Sequence, residues 1–233
     1  MALDIYAGPL CRYHAGDWEN VGQRAAREEG VPYVLAGPDT RDGEPLTMQE
    51  IQTAVTVWRD SVADFFKENE DLQFTWPEDP KLEYYTDRPG WPGYYGLLLA
   101  AARPAGEPLP DELPEELSDD AEFAAAYEDW EESAFPHVIK PELWLPIREN
   151  LVFDTGYLTR DSMSVGTLQG LVFQLRGLNE SRWDMDARAL DEWSYNQPEP
   201  EADVDTHARY GLAVFMRAAE WAMLNNLPLI LDY

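Results

Sequence analysis

Between residues 107 and 135 the chain carries twelve acidic side chains, from Glu107 through Asp111, Asp119 and Glu128 to Glu132, and no Lys or Arg. Carboxylates at that density cannot enter an apolar interior without partners, so this stretch must lie on the surface. A helix predicted within it presents Phe123, Tyr127 and Trp130 on one side. The imbalance runs through the whole chain, with 45 Asp and Glu against 17 Lys and Arg and a formal net charge of -28. Such a field repels nucleic acid, anionic membranes and phosphorylated substrates, and it attracts basic partners. The bases are fourteen Arg with only Lys67, Lys81 and Lys140, a composition that a GC-rich genome or a salt-adapted cytoplasm would also produce. Background composition accounts less well for the run at 107–135.

At 233 residues and 45% apolar content the chain can bury roughly 70% of its unfolded surface without metals or disulfides. One domain over 1–233 is the expectation, with residues 104 to 117, where four prolines alternate with acids, as an exposed connector. Cys11 is the only cysteine, the N-terminus lacks a basic n-region, and no apolar run is long enough to span a bilayer. These features predict a soluble, cytoplasmic protein that binds neither membrane nor nucleic acid.

The clearest helix starts at Thr47, where Thr47 and Glu50 form a capping box ahead of an apolar stripe of Ile51, Val55, Trp58, Val62, Phe65 and Phe66. Asp17 is placed to cap a helix at Trp18, and further helices are predicted through Leu97–Arg103, Asp119–Ser133, Val165–Leu178, Met185–Trp193 and His207–Leu224. The last is apolar around most of its circumference and should be central. Leu3-Asp4-Ile5-Tyr6 alternates like a strand, and Leu227 to Tyr233 can form another. The pattern as a whole predicts a mainly α fold, a compact multi-helix domain with a small strand pair joining its ends; α+β is the alternative.

Chemistry-bearing constellations are few. His14, Asp17 and Glu19 stand close together, with Cys11 and Asp4 nearby, and suggest an acid–base or metal site. Asp17 as a helix cap is the plainer account. Cys11 with His14 or His207 lacks the flanking pattern of a catalytic thiol. Trp76, Trp91, Tyr84 and Tyr85 beside Glu78 and Glu83 resemble the acids and stacking rings of a glycoside hydrolase, but 45 acids make such neighbours inevitable. Nucleotide-binding glycine loops are absent, and Gly166 and Gly170 suggest close helix packing. No metal or cofactor is expected.

An acidic domain with exposed aromatics and no catalytic pattern is similar in general character to the immunity proteins that bacteria pair with secreted toxins. The ends, Leu3-Asp4-Ile5-Tyr6-Ala7-Gly8-Pro9 and Leu227-Pro228-Leu229-Ile230-Leu231-Asp232-Tyr233, also resemble those of an uncharacterised bacterial family. The expected function is a protein-binding module that neutralises a basic protein partner such as a toxin. Its expected surface joins Asp111, Glu112, Glu115, Glu116, Asp119, Asp120, Glu128, Asp129, Glu131 and Glu132 with Tyr127 and Trp130, and takes in Trp76 and Trp91 as a second choice. The alternatives are a hydrolase, carbohydrate-active or metal-dependent, using carboxylates and His14, and a nucleic-acid mimic.

Overall fold

The computed structural model describes residues 3–32, 46–158 and 160–233. The alternating N-terminal segment forms strand β1 (Asp4–Ala7), and Pro9 then opens a short helix, α1 (Leu10–Ala15), closed by Gly16 in the left-handed region. Helix α2 (Val21–Glu29) begins later than Asp17 would place it. Asn20 caps it, in a capping box with Gln23. In α3 (Met48–Glu70) the box of Thr47 and Glu50 forms as its spacing predicts, and Ile51, Val55, Trp58, Val62 and Phe66 are buried. Phe65, grouped with that stripe by spacing, faces outward.

After strand β2 (Tyr85–Asp87) comes α4 (Gly90–Ala101), which holds Pro92 in its first turn, where no N–H is missed. The acidic segment forms only a two-turn helix, α5 (Ala121–Glu128), between single 3-10 turns at Leu117–Asp119 and Trp130–Glu132. Then follow α6 (Pro136–Ile139), β3 (Leu143–Leu145), β4 (Phe153–Tyr157) and β5 (Arg160–Thr167). The chain finishes with α7 (Leu168–Arg182), α8 (Ala187–Tyr195), α9 (Val204–Asn225) and β6 (Leu229–Asp232).

The mainly helical expectation is corrected here, because the fold is α+β. The six strands form one mixed sheet in the order β2-β1-β6-β3-β5-β4, with β3 and β5 parallel and the other neighbours antiparallel. The terminal pair β1–β6 does form, but as the interior of that sheet. Side-chain alternation sorts the strands onto two buried faces. Leu3, Ile5, Ala7, Trp144, Leu229 and Leu231 pack in a cluster with α4, α7 and α9. Tyr6, Leu143, Leu145, Val165 and Ile230 pack on the opposite face with α1, α3 and the loop that carries Trp76. Each of these large side chains, when fully buried, contributes about 1.5–3 kcal/mol of apolar transfer.

Two close approaches fix the helical layer. A Cβ on Gly211 of α9 would lie 2.0 Å from the carbonyl oxygen of Gly93 in α4, so the two helices cross with their backbones in contact. Gly170 makes room of a different kind. A Cβ there would meet the His137 ring at 2.2 Å, and one on Gly166 would lie 3.0 Å from His137 Nδ1. The two glycines therefore clear a slot for an imidazole and do not form a helix–helix seam; Gly166 is in fact on β5. Thr167, at the strand-to-helix junction, caps α7 through Gly170 N–H.

Candidate functional site

The N-terminal residues His14, Asp17 and Glu19 are not assembled into one site. His14 Nε2 lies 2.5 Å from the Tyr157 hydroxyl of β4. Asp17 is exposed and pairs with Arg12 at 3.6 Å. Glu19 turns toward α2 and accepts from Arg27 Nε at 2.9 Å. Among the described residues, no group of three His, Cys, Asp or Glu side chains is placed to hold a metal ion.

The aromatic loop folds inward. Trp76 is 1% exposed, so it has no surface to offer a partner. Its indole N–H donates to Glu78 Oε1 at 2.7 Å, while Glu78 Oε2 accepts the Cys11 backbone N–H at 2.9 Å. Burial pushes the Glu78 carboxyl above its ordinary value, and the backbone N–H of Cys11 opposes that shift. The Cys11 thiol is pushed up to about 12, mainly by burial and next by the Glu78 charge. A thiol in that state is a poor nucleophile at neutral pH. Glu78 thus ties the loop to α1, and Gln52 Nε2 and Arg59 join from α3 by donating to the carbonyls of Glu78 and Trp76. Tyr85 donates to Asp87, Glu83 is exposed, and Trp91 packs edge-on against Tyr95 and Tyr233. Among the described residues, Glu78 is enclosed beside Trp76 while Glu83 stands exposed, so these two acids do not face one another across the rings.

The acidic segment behaves differently. Eleven of its twelve carboxylates are exposed. The exception, Asp120, caps α5 through Phe123 N–H and meets the buried Arg103 guanidinium at 2.5 Å, so it serves the fold. Glu122 approaches the same guanidinium at 3.4 Å. The others, Asp111, Glu112, Glu115, Glu116, Asp119, Glu128, Asp129, Glu131 and Glu132 among them, form no ion pair with any described residue. Phe123 anchors α5 inward, Tyr127 stands at the rim with Lys140 Nζ 4.0 Å above its ring, and Trp130 is half-buried. Leu109, Leu113 and Leu117 hold the preceding connector against the core. Arg182 pins it further by donating to the carbonyls of Ala100, Pro104 and Glu107. The carboxylates are therefore displayed on an anchored stretch of chain, although it has little regular secondary structure.

Sequence spacing could not have found one deeply enclosed polar group, His137. It is 1% exposed, and its neighbours come from four separate segments. Its Nδ1 accepts from Thr167 N–H at 3.3 Å, which leaves the proton on Nε2, 2.5 Å from Asn150 Oδ1. Its main chain donates to Gln174 and accepts from the Trp144 indole. With both ring nitrogens and its main chain engaged, and Gly166 and Gly170 packed against the ring, this imidazole is a packing element. Among the described residues no helix is long and apolar enough to cross a membrane. Comparison of the chain with known protein families, curated proteins and solved structures finds no match.

Proposed function

We propose that this protein is an acidic binding module that captures a basic protein partner, in the manner of an immunity protein holding a toxin. The observation that carries the reading is the anchored run of exposed carboxylates at 107–132, which apart from Glu122 form no ion pair with any described residue. Carboxylates kept that close repel one another, a cost to the free protein that a basic partner relieves. Tyr127 and Trp130 at the edge of the run supply apolar surface of the kind that anchors interfaces. The hydrolase alternative has less support, because His14, Asp17 and Glu19 point to different partners and Glu78 is enclosed. The nucleic-acid mimic also has less, since loop, 3-10 turns and a two-turn helix give the acids no regular spacing.

The primary experiment immobilises the protein, passes lysate from its source cells over it and elutes with rising salt. A stoichiometric basic protein released only at high salt is the expected result, and retention of no basic protein sinks the reading. With that partner in hand, the variant Glu116→Lys, Glu128→Lys, Glu131→Lys, Glu132→Lys should associate about 10–100 times more slowly at low salt. Its salt dependence should also flatten. Unaltered association kinetics would remove the segment from the interface.

A further inference from the structure

Where the acidic segment begins, the connector at 106–111, the end of α7 and the first turns of α9 enclose an open cleft of about 430 Å³. We propose that this cleft receives an arginine side chain of the basic partner; the inference rests on the protein-binding reading above and assigns that surface its anchor point.

The walls are of two kinds. Pro108, Leu109 and the half-buried Trp183 present apolar surface, and Glu107, Asp111, Asp203 and Asp205 contribute carboxylates. The cleft also contains Arg182 and Arg209; Arg209 Nε has no hydrogen-bond partner but is itself buried, out of reach of a guest. Arg182 is turned onto three backbone carbonyls, and Arg209 pairs with Asp205 at 2.5 Å. Asp205 is engaged at both oxygens, since the other accepts the Trp183 indole N–H at 2.8 Å. Asp203 uses one oxygen to cap α9 through Thr206 N–H, at 2.7 Å. Glu107 and Asp111 form no ion pair with any described residue. Four carboxylates against two guanidiniums leave the cleft net negative, and it sits beside an indole and a proline-lined wall.

That combination selects a guest. An anion would meet uncompensated carboxylates, and a neutral group would leave them unpaired. A lysine would satisfy the charge as a point cation. A guanidinium does more: its flat fork can engage carboxylates through paired N–H groups, its face can stack on an aromatic ring, and its stem tolerates an apolar wall. The cleft is held in place before binding, because Arg182 ties the connector to α4 and α7 while Asp205 ties Trp183 to α9. Little ordering is left for the partner to drive.

The test uses the full chain and two probes, hexa-arginine and hexa-lysine, titrated by calorimetry at low salt, with the Trp183 indole N–H followed by NMR. Glu107→Gln/Asp111→Asn alters only exposed, unpaired carboxylates and should leave the fold intact. It is expected to weaken hexa-arginine binding about tenfold, whereas Glu128→Gln/Glu131→Gln, with the same charge change outside the cleft, should weaken it about twofold or less. Hexa-arginine should move the Trp183 resonance further than hexa-lysine at saturation. Equal losses in the two variants, or equal behaviour of the two peptides, overturn the arginine cleft and leave the acidic-surface reading standing. Failure of the unaltered protein to bind either peptide overturns both.

Discussion

Replacing Arg88 by Met is expected to remove about 3–5 kcal/mol of folding stability, the effect of stranding a buried carboxylate without its counter-ion. The carboxylate is Asp4, whose side chain is 3% exposed in the middle of the sheet and is gripped by Arg88 Nε at 2.9 Å and Nη2 at 3.1 Å. Its situation is worse than simple burial, because Asp4 stands opposite Asp232 in the β1–β6 register. Asp232 already has its carboxyl raised, chiefly by burial and further by the Asp4 charge, with the Tyr13 hydroxyl bond acting against the shift. Without Arg88, the buried Asp4 and the half-buried Asp232 share one patch, in which the Tyr13 hydroxyl donates to Asp232. Urea unfolding at pH 7 measures the loss, and the double variant Asp4→Asn/Arg88→Met should recover a large part of it. Lower pH should also recover part, since protonating one acid of the pair removes the repulsion. A loss below about 1 kcal/mol, or a double variant no better than the single, would falsify the claim that this ion pair is desolvated.

The second large effect concerns pH. Burial lowers the His137 imidazole to about 4, with the Asn150 hydrogen bond opposing the shift, against an ordinary value near 6.5. The unfolded chain therefore binds a proton that the folded one refuses throughout that window. The sign follows from linkage: folding stability is unaffected above about pH 6.5, falls as the pH drops below it, and levels off below about 4, for a total of about 3 kcal/mol. Geometry supplies the reason, because a proton on Nδ1 would face the Thr167 N–H donor. Glu78 and Asp232, whose carboxyls are raised in the folded state, gain stability as the pH falls, so an overall profile mixes opposite slopes. The measurement is accordingly a difference. The stability gap between the unaltered protein and His137→Gln should narrow by about 2–3 kcal/mol from pH 7 to pH 4.5. A gap that stays constant would mean that the ring is protonated as readily folded as unfolded.

The parts of the fold that were legible in the sequence are those with a strong local cause. The α3 helix announces itself through Thr47, Glu50 and a stripe at helical spacing, and β1 through its alternation. The sheet was hidden because burial on both faces erases alternation. Leu143-Trp144-Leu145 is apolar at every position since Trp144 goes to one cluster and the leucines to the other. β5 was obscured by running straight into α7 at Thr167, so Val165 and Gly166 read as the beginning of the helix. The acidic surface was visible from composition, since charge of that density has nowhere to go but outward. The loss of Asp120 and Trp76 from that surface was not visible, because Arg103 and Glu78 reach them only after the chain has folded.

The place of β6 between β1 and β3 has a consequence for how the chain comes into being. The strand that joins the two halves of the sheet emerges from the ribosome after the other five. Until Leu229–Asp232 emerges, β1 and β3 each wait with an open hydrogen-bonding edge, and Leu229, Ile230 and Leu231 are missing from both apolar layers. Contacts that span nearly the whole sequence also close slowly. Until β6 has been made, the nascent chain therefore has no finished sheet. The net charge of -28 sets such chains against one another and so opposes pairing between their open edges.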